Sequence, residues 1–331
     1  MSASWQQFLL SRGARFDNGR VVSFGDAAAS SNGTSVVDLS HMGVIEAHGA
    51  EAATFLHAQL TNDVLALPDG HAQWNGWCTP KGRLLVTFLL WREGDRYFLL
   101  LPKALQQAIQ KRLQMFVLRS KVALRDASED AVAIGVVEHK FTDMSVMILK
   151  RFPSHAVLPL SAHRALVLAP RENATQCWKG YVENGAMESG EAAWRLGGIA
   201  DGIYSLTPET QEQFVPQMVN FDLTGGVSFK KGCYPGQEIV ALTQYRGILK
   251  RRMVRAECSN ALKPGDAVFA AEFGDQPAGQ VADAVTRADG MTEMLVVAQI
   301  EAIRAGSLRA ADGAALNLLP LPYHVPEINA A

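Results

Sequence analysis

Residues 230–238 carry the chemistry that stands out in this chain. They place one thiol, Cys233, in the run Lys-Lys-Gly-Cys-Tyr-Pro-Gly-Gln-Glu. The two glycines permit backbone angles that other residues avoid, and the proline fixes one, so the pattern predicts a tight turn near the surface. The ammonium groups of Lys230 and Lys231 would favour the thiolate, which is the reactive form. We therefore predict Cys233 as a nucleophile with Lys231 as its partner. A hairpin or loop with an incidental cysteine is the alternative that these residues leave open.

The same segment resembles a known family signature. The pattern KGC-[FY]-x-GQE is similar to that of the YgfZ-type folate-binding proteins, a branch of the superfamily that contains the aminomethyltransferase (T-protein) of glycine cleavage. The resemblance extends over nearly the whole chain, from residue 35 to residue 325. Its supporting segments are residues 59–64, 78–85, 213–220, 225–230, 238–241, 245–252 and 320–323.

This resemblance implies a fold and a function. The expected fold is α+β: a folate-binding, aminomethyltransferase-like trunk of interleaved subdomains over residues 1–247, followed by a C-terminal antiparallel β-barrel over residues 248–331. The implied cofactor is tetrahydrofolate or a one-carbon derivative. The implied role is that of an accessory protein for the assembly or repair of iron–sulfur enzymes, including those that thiolate tRNA bases. Its expected partners are those enzymes or their assembly proteins.

A folate site needs a flat apolar surface for the pterin, polar groups for its amide-like edge, and cations for the glutamate tail. Trp194 and Arg195 supply an indole beside a guanidinium, and the resemblance places this stretch at the folate cavity. Asn62 and Asp63 are further candidates, with a helix-ending turn as their alternative role. The remaining candidates are Gln217 and Gln237.

Two departures from the aminomethyltransferase pattern bear on the chemistry. Those enzymes carry a catalytic carboxylate in the hairpin that corresponds to residues 79–90, whereas residues 74–92 contain no Asp or Glu and our alignment places Val86 there. They also hold the pterin with a Glu before a Gly, whereas this chain has the run Gly-Ile-Ala-Asp-Gly at 198–202, in which Asp201 stands one position away from the place of that Glu. The first departure argues against glycine cleavage, and the second weakens the expectation of pterin affinity.

Hydrophobic periodicity predicts the elements that hold these residues. Strand-like runs occur at 84–91, 97–101, 131–137 and 165–169, and Leu105, Ile109, Leu113 and Phe116 repeat at helical spacing behind Pro102. After residue 246 the segments become short and strand-like with Gly or Pro turns, which is typical of a small antiparallel barrel or sandwich. Strands and helices mix without regular alternation, which favours an α+β fold.

Composition narrows the function classes. The 331 residues carry a formal net charge of −2, so no global field attracts nucleic acid or anionic membrane. The amino terminus resembles no signal peptide and no apolar run is long enough to span a bilayer. Four cysteines without a CxxC pair indicate a reducing cytoplasm. The histidines and cysteines lack zinc spacing, so we predict no metal site.

Three functions remain open at this stage. The first is the folate-binding accessory protein, and the second is a folate-dependent one-carbon transferase of unknown substrate. The third is a tRNA-binding module that uses the basic run of residues 246–255, although such a run is more often a solvated face and this one lacks interleaved aromatic residues. Whether the chain is an enzyme is not decided by its residues.

Overall fold

The computed structural model describes residues 3–25, 33–141, 144–245 and 249–329. The α+β class is confirmed, and the chain divides into two compact units. Unit 1 comprises residues 1–52, 67–72 and 89–197, and unit 2 comprises residues 53–66, 73–88 and 198–331. The chain therefore passes repeatedly from one unit to the other. The predicted boundary at 247/248 lies outside the described residues and stays a prediction.

Unit 1 contains most of the first half of the chain. Its helices are α1 (Ala3–Ser11), α3 (Lys103–Val117) and α4 (Arg171–Glu183). Its strands are β1 (Ala14–Asp17), β2 (Arg20–Phe24), β3 (Ser35–Asp38), β4 (Met42–His48), β7 (Arg96–Pro102), β8 (Ala123–Asp126), β9 (Ala131–Val137), β10 (Lys150–Arg151), β11 (Ala156–Pro159), β12 (Arg164–Pro170) and β13 (Met187–Ser189). The hydrogen-bonded order β10-β11-β12-β9-β3-β13 forms a mixed sheet in which only the β13–β3 pair is parallel.

The core of unit 1 lies between this sheet and helices α1 and α4. Val132, Ile134 and Val136 are alternate residues of β9. Their side chains therefore share one face of the strand, and all three are buried in this core. Trp178 of α4 is fully buried and meets Trp5 of α1 edge to face, with 5.6 Å between ring centroids. Burying aromatic rings of this size contributes much of the hydrophobic stabilisation of a unit.

Helix α3 follows Pro102, as the sequence predicts. Its buried stripe consists of Leu105, Ile109, Leu113 and Val117, at spacings of four residues. The assignment of Phe116 to this stripe is wrong: the fourth residue after Leu113 is Val117, so Phe116 is rotated outward and is 44% exposed.

Four elements cross between the units. They are α2 (Ala52–Gln59), β5 (Ala72–Cys78), β6 (Leu84–Glu93) and α5 (Glu191–Ala200). Strands β5 and β6 belong to a second sheet of order β5-β6-β7-β4-β8.

Unit 2 contains the remaining elements. They are α6 (Gln237–Tyr245), β14 (Arg251–Cys258), β15 (Ala267–Val268), β16 (Gly279–Thr286), β17 (Thr292–Gln299), α7 (Ile300–Ala305), β18 (Asn317–Leu319) and α8 (Pro326–Asn329), with 3₁₀ turns at Pro208–Thr210, Pro216–Val219 and Ala271–Phe273. The short, strand-like segments that the sequence predicts after residue 246 correspond to β14, β15, β16 and β17, of which β15 has only two residues.

The C-terminal strands form an antiparallel sheet with the open order β15-β16-β17-β14-β18. Among the described residues its end strands are not paired with each other, so the predicted closure into a barrel is not confirmed. The core beneath the sheet includes Val254, Ala256, Val281, Met294 and Val296, all of them buried. The chain accordingly has a separate hydrophobic cluster in this region.

Candidate functional site

The loop that carries Cys233 is fixed by a close backbone approach in unit 2. Gly236 has φ +83°, and a Cβ at this position would collide with the carbonyl oxygen of Thr79 and lie 2.8 Å from the backbone nitrogen of Gly82. Only glycine fits such a position without displacing its neighbours. The turn between β5 and β6 thereby holds the end of the loop, where α6 begins at Gln237, and Cys233 is exposed just before it.

Lys231 turns inward from the loop rather than toward solvent. Its Nζ atom donates hydrogen bonds to the carbonyl oxygens of His57 and Leu60, the latter at 2.6 Å, and lies 4.7 Å from the centroid of the Tyr234 ring. A cation at the carboxyl end of α2 satisfies carbonyl groups that lack helical partners. Lys231 therefore joins the Cys233 loop to α2.

The surroundings of Lys231 make its ammonium group easier to deprotonate than that of an exposed lysine. Burial lowers the pKa of Lys231 to about 8, and the charges of Asp63 and Cys233 oppose that shift. Desolvation disfavours the ammonium ion, whereas nearby negative charges favour it. Cys233 lies two residues after Lys231 on the same loop.

A histidine and a carboxylate lie beside the same loop. The Nδ1 atom of His57 is 3.1 Å from Oδ1 of Asp63, at an angle outside the range of an in-line hydrogen bond. The other ring nitrogen, Nε2, would be 3.7 Å from a Cβ at Gly232. Burial, with a smaller effect of Lys231, lowers the His57 pKa, and Asp63 raises it in part. A neutral imidazole of this kind can accept a proton.

Asn62 has a structural role in the loop that supports this site. Its Nδ2 atom donates to the carbonyl oxygens of Trp74 and Gly225, at 3.0 and 2.6 Å, and its Oδ1 accepts from the Asp63 amide. The adjacent Thr61 donates from Oγ1 to the carbonyl of Gly226 at 2.7 Å. Asn62 and Asp63 are thus both brought to the Cys233 region, and the side chain of Asn62 is engaged by the backbone.

The four cysteines differ sharply in accessibility. Cys233 is exposed, Cys177 is half-buried, and Cys78 and Cys258 are buried. Burial raises the pKa of Cys78 to about 12 and that of Cys177 to about 11, which disfavours their thiolates. Because the thiolate must also be reachable to react, accessibility favours Cys233 as the reactive thiol.

Gln217 and Gln237, the other two predicted ligand residues, have different surroundings from the groups described above. Gln217 is buried, and its Nε2 atom donates to the carbonyl of Val240 at 2.6 Å. Its main-chain carbonyl oxygen accepts a hydrogen bond from the Arg252 guanidinium. Gln217 also lines a cleft of about 640 Å³ that contains Lys250. Gln237 is the half-buried first residue of α6.

Trp194 and Arg195 belong to unit 1. Trp194 is 8% exposed, its six-membered ring lies against Gly135, and the Arg164 guanidinium lies over the ring at 4.7 Å from the centroid. Arg195 is half-buried and acts electrostatically on His41. The indole is therefore packed as a core side chain, and pterin stacking on it stays a prediction.

The residues of unit 2 offer a partial fit to a pterin. Buried side-chain amide atoms without a hydrogen-bond partner, within its described part, include Gln59 Oε1, Gln73 Nε2 and Asn75 Nδ2. Unpaired buried polar atoms carry a free-energy cost, which a ligand with matching donors and acceptors would remove. Trp74 is a half-buried indole between Gln73 and Asn75 on β5, so its side chain lies on the opposite face of the strand from theirs. The amide groups therefore match the polar edge of a pterin, and the Trp74 ring is not on their face.

The two departures noted in the sequence are present in the structure. Val86 is fully buried in β6, so the hairpin carries an apolar side chain where the aminomethyltransferases carry a carboxylate. Asp201 is half-buried after α5, and the carbonyl of Gly202 accepts a 2.8 Å hydrogen bond from the Tyr323 hydroxyl.

The basic run is not a continuous cationic surface. Arg252 is buried and forms a two-point ion pair with Asp222, at 2.7 and 2.9 Å. Arg255 pairs with Glu293 at 2.7 Å. Arg246 lies outside the described residues. Since the carboxylates neutralise two of the guanidinium groups, the run is a weaker anion-binding surface than its sequence suggests.

Sequence reasoning missed His57, Trp74 and Asn75. His57 precedes Asp63 by six residues, close to a segment that matches the family pattern, which is a signal that the sequence contained. No group of three or more His, Cys, Asp or Glu side chains within the described ranges is arranged to hold a metal ion. None of the helices that the structure describes has the length and apolar character needed to cross a bilayer.

Comparison with known proteins places this geometry in a family. Residues 20–138 match the model of the GCVT N-terminal domain. The chain is 30% identical over 309 residues to the tRNA-modifying protein YgfZ of Photobacterium profundum, covering 88% of this chain and 92% of that protein. It is 30% identical over 233 residues to the protein of the same name from Vibrio vulnificus (strain YJ016), covering 68% and 70%.

A solved structure shares the fold. The aminomethyltransferase T of the glycine cleavage system from Bartonella henselae superposes with a TM-score of 0.74 at 15% identity, over 96% of both chains. Fold and loop thus define a protein of the aminomethyltransferase-like class. Within that class, the chain belongs to the family of the tRNA-modifying protein YgfZ.

Proposed function

We propose that this chain is a folate-binding accessory protein that supports tRNA modification and the iron–sulfur enzymes involved in it, with Cys233 as its reacting group. One observation carries the proposal: the exposed Cys233 thiol lies on a loop that Lys231, two residues earlier, bonds to the end of α2. A reactive thiol needs accessibility and a fixed electrostatic environment, and this loop provides both. The names of the relatives support the link to tRNA.

The cofactor we propose is tetrahydrofolate or a one-carbon derivative. Gln59, Gln73 and Asn75 would meet the polar edge of the pterin, because each has a buried amide atom without a partner. The half-buried Trp74 would contact the ligand from the other face of β5, which is the edge strand of its sheet. When bound, the folate would supply a carrier for a one-carbon unit. The GCVT domain match and the shared fold support this assignment.

The residues around Cys233 have separate tasks in this proposal. Lys231 positions the loop on α2, and the charge it retains lies near the sulfur. In this proposal His57 accepts the thiol proton at Nε2, and Asp63 lies on the Nδ1 side of the ring. The carboxylate would stabilise the imidazolium by its charge once the proton has moved. Cys233 then reacts as the thiolate.

The proposal is tested in a strain that lacks the gene. Plasmids encode the wild type, Cys233→Ala, or Cys177→Ala as a matched control that removes a half-buried thiol. Thiolated tRNA nucleosides are quantified by mass spectrometry, and the activity of an iron–sulfur enzyme is measured in the same extracts. We expect the wild type and Cys177→Ala to restore both readouts and Cys233→Ala to restore neither at equal protein level. Full complementation by Cys233→Ala would refute the role of the thiol.

A folate-dependent one-carbon transferase is the second candidate, and the exposed nucleophile is the observation that favours it. Incubation of purified protein with methylene-tetrahydrofolate and a cell extract distinguishes the two. Catalytic loss of the adduct at substoichiometric protein would indicate a transferase. Retention of the adduct in a 1:1 complex would indicate the accessory role.

The finer architecture belongs to the same proposal. A folate-binding trunk of residues 1–247 and a closed barrel of residues 248–331 would separate at the segment around residue 247. Limited proteolysis that yields a stable fragment ending near this residue would support the boundary. We further propose that the protein acts in the cytoplasm, where reducing conditions keep Cys233 free.

A further inference from the structure

Unit 1 contains a long segment without any acidic residue. Residues 96–125 include no Asp or Glu, and they carry seven cations: Arg96, Lys103, Lys111, Arg112, Arg119, Lys121 and Arg125. Arg96 pairs with Glu93, and Arg125 pairs with Glu46 and Asp130, so the excess positive charge of the segment comes from the cations between them. A local concentration of positive charge attracts polyanions even where the whole protein does not.

The centre of this charge is the end of α3 and the loop after it. We call residues 111–121 the α3 tip. Its cations are the exposed Lys111, Arg119 and Lys121 and the half-buried Arg112. The exposed polar side chains of α3 between its cations are the amides of Gln107 and Gln114, and none is a carboxylate. Glu51, whose carboxylate accepts the Lys121 amide, is an acidic group beside the tip, whereas the exposed polar side chains of the helix itself are not acidic.

Apolar side chains project from the same tip. Met115 is 63% exposed, Phe116 44% and Leu118 88%. Leu118 has φ +48°, a region that is unfavourable for a leucine and that persists only where surrounding structure imposes it. The imposing contacts are present: Glu51 accepts the Lys121 amide at its carboxylate, and the Glu51 amide donates to the Lys121 carbonyl at 3.3 Å. The loop is thus anchored with its apolar residue outward.

We propose that the α3 tip is an RNA-contact surface, with Lys111, Arg112, Arg119 and Lys121 on phosphates and Phe116 against a base. An aromatic ring among cations is the arrangement that single-stranded or unstacked RNA bases recognise. Taking tRNA as the RNA rests on the proposed function. The charge and exposure of the tip do not depend on it.

An anionic membrane is the competing occupant of a cationic and apolar tip. A helix that lies on a bilayer buries an apolar face in it. The apolar stripe of α3 (Leu105, Ile109, Leu113 and Val117) is already buried within unit 1. Only three large apolar side chains remain at the tip, and the exposed side toward the start of the helix carries Lys103, Gln107 and two alanines. These features favour RNA.

The test measures binding of the full-length protein to an unmodified tRNA transcript by fluorescence anisotropy over a range of salt concentrations. The test variant is Lys111→Gln/Arg119→Gln/Lys121→Gln. The control variant, Lys140→Gln/Lys179→Gln/Lys263→Gln, removes the same charge from positions outside the tip. Each phosphate contact contributes roughly 0.7 to 0.9 to the slope of log affinity against log salt, so we expect the test variant to lower that slope by about 2 to 3. The control should retain wild-type binding.

Phe116→Ala provides an independent arm. It should weaken tRNA binding while leaving the salt slope unchanged, because stacking releases no counterions. Vesicles that contain phosphatidylserine are assayed in parallel. Loss of vesicle binding in the test variant with unchanged tRNA binding would overturn the proposal in favour of a membrane surface. Equal losses of tRNA binding in the test and control variants would also overturn the proposal, because they would show that binding depends on the overall charge of the protein and not on the tip.

The outcome also separates this inference from the proposed function. If wild type binds no transcript while Cys233→Ala fails to restore thiolated nucleosides, the RNA surface is refuted and the accessory function stands. If the tip variant alone loses tRNA while Cys233→Ala complements fully, the surface stands and the function of the thiol is refuted.

Discussion

The imidazole Nδ1 of His57 lies 3.1 Å from the Oδ1 atom of Asp63. Its Nε2 atom is on the side of Gly232, the residue that precedes Cys233. This arrangement places a group that can carry a proton next to Gly232, and the residue that follows is Cys233, the exposed thiol among the four cysteines. The pair comes from α2 and the loop after it, whereas the thiol comes from a segment some 170 residues later in the chain.

Iodoacetamide should label Cys233 first, and His57→Gln should slow that labelling at pH 7 more than at pH 9. At pH 7 the lowered pKa of His57 leaves the imidazole neutral and able to accept the thiol proton, whereas at pH 9 hydroxide performs that task. Rates are measured by mass spectrometry of the labelled peptide. His48→Gln is the matched control, because His48 also faces a carboxylate, Glu46, at 3.4 Å. Equal rates for His57→Gln and wild type at both pH values would contradict the role of His57.

Lys231→Gln should change how stability depends on pH. The Lys231 pKa is about 8 in the folded protein and near 10.5 in the unfolded chain, so between these values the unfolded state binds more protons. The free energy of unfolding should therefore rise with pH in this window, and Lys231→Gln should remove that rise. Urea denaturation at pH 7.5, 8.5 and 9.5 measures the difference from wild type. The control is Lys230→Gln, at an exposed neighbour, which should leave the rise intact. If the free energy of unfolding of Lys231→Gln rises with pH as steeply as that of wild type, the prediction is wrong.

Part of this site was predictable from the sequence. The turn residues around Cys233 indicated an exposed thiol, because glycine and proline act through local backbone geometry. The inward direction of Lys231 was not predictable, since its partners are carbonyl groups at the end of α2, more than 170 residues earlier. The ion pair between the buried Arg252 and Asp222 was not predictable for the same reason, since the fold brings the two residues together. Local chemistry is encoded in neighbouring residues, whereas ion pairs and burial depend on long-range packing.

The role of Trp194 illustrates the same limit. An indole next to an arginine is typical of a ligand platform, yet the guanidinium over its ring comes from Arg164 on β12 rather than from Arg195. The α3 tip was likewise not predictable, because its cations are spread over a segment without carboxylates and their exposure depends on the fold. Both cases required knowledge of which side chains the fold exposes.

Trp194→Ala should lower the free energy of unfolding by about 3–5 kcal/mol, because removing a buried aromatic ring leaves a cavity. Trp74→Ala, at a half-buried indole, should cost less. Tetrahydrofolate should quench tryptophan emission of the wild type, since an indole at contact distance from a pterin is quenched. The burial of Trp194 leads us to expect that Trp74→Phe loses most of this quenching. Loss in Trp194→Phe instead would restore that indole as the pterin platform.

Glycine-cleavage activity should be absent from this protein despite its fold. The hairpin that supplies a carboxylate in the aminomethyltransferases carries the buried Val86, and residues 74–92 contain no Asp or Glu. A positioned acid–base group typically contributes roughly 10²- to 10⁴-fold to a rate, so its loss should leave the reaction at least about a hundredfold slower. The measurement is methylene-tetrahydrofolate formation from the aminomethyl-loaded carrier protein, with an aminomethyltransferase assayed beside it at equal concentration. Formation at a comparable rate would mean that another residue supplies the missing carboxylate, and Asp63→Asn and Asp201→Asn would then identify it.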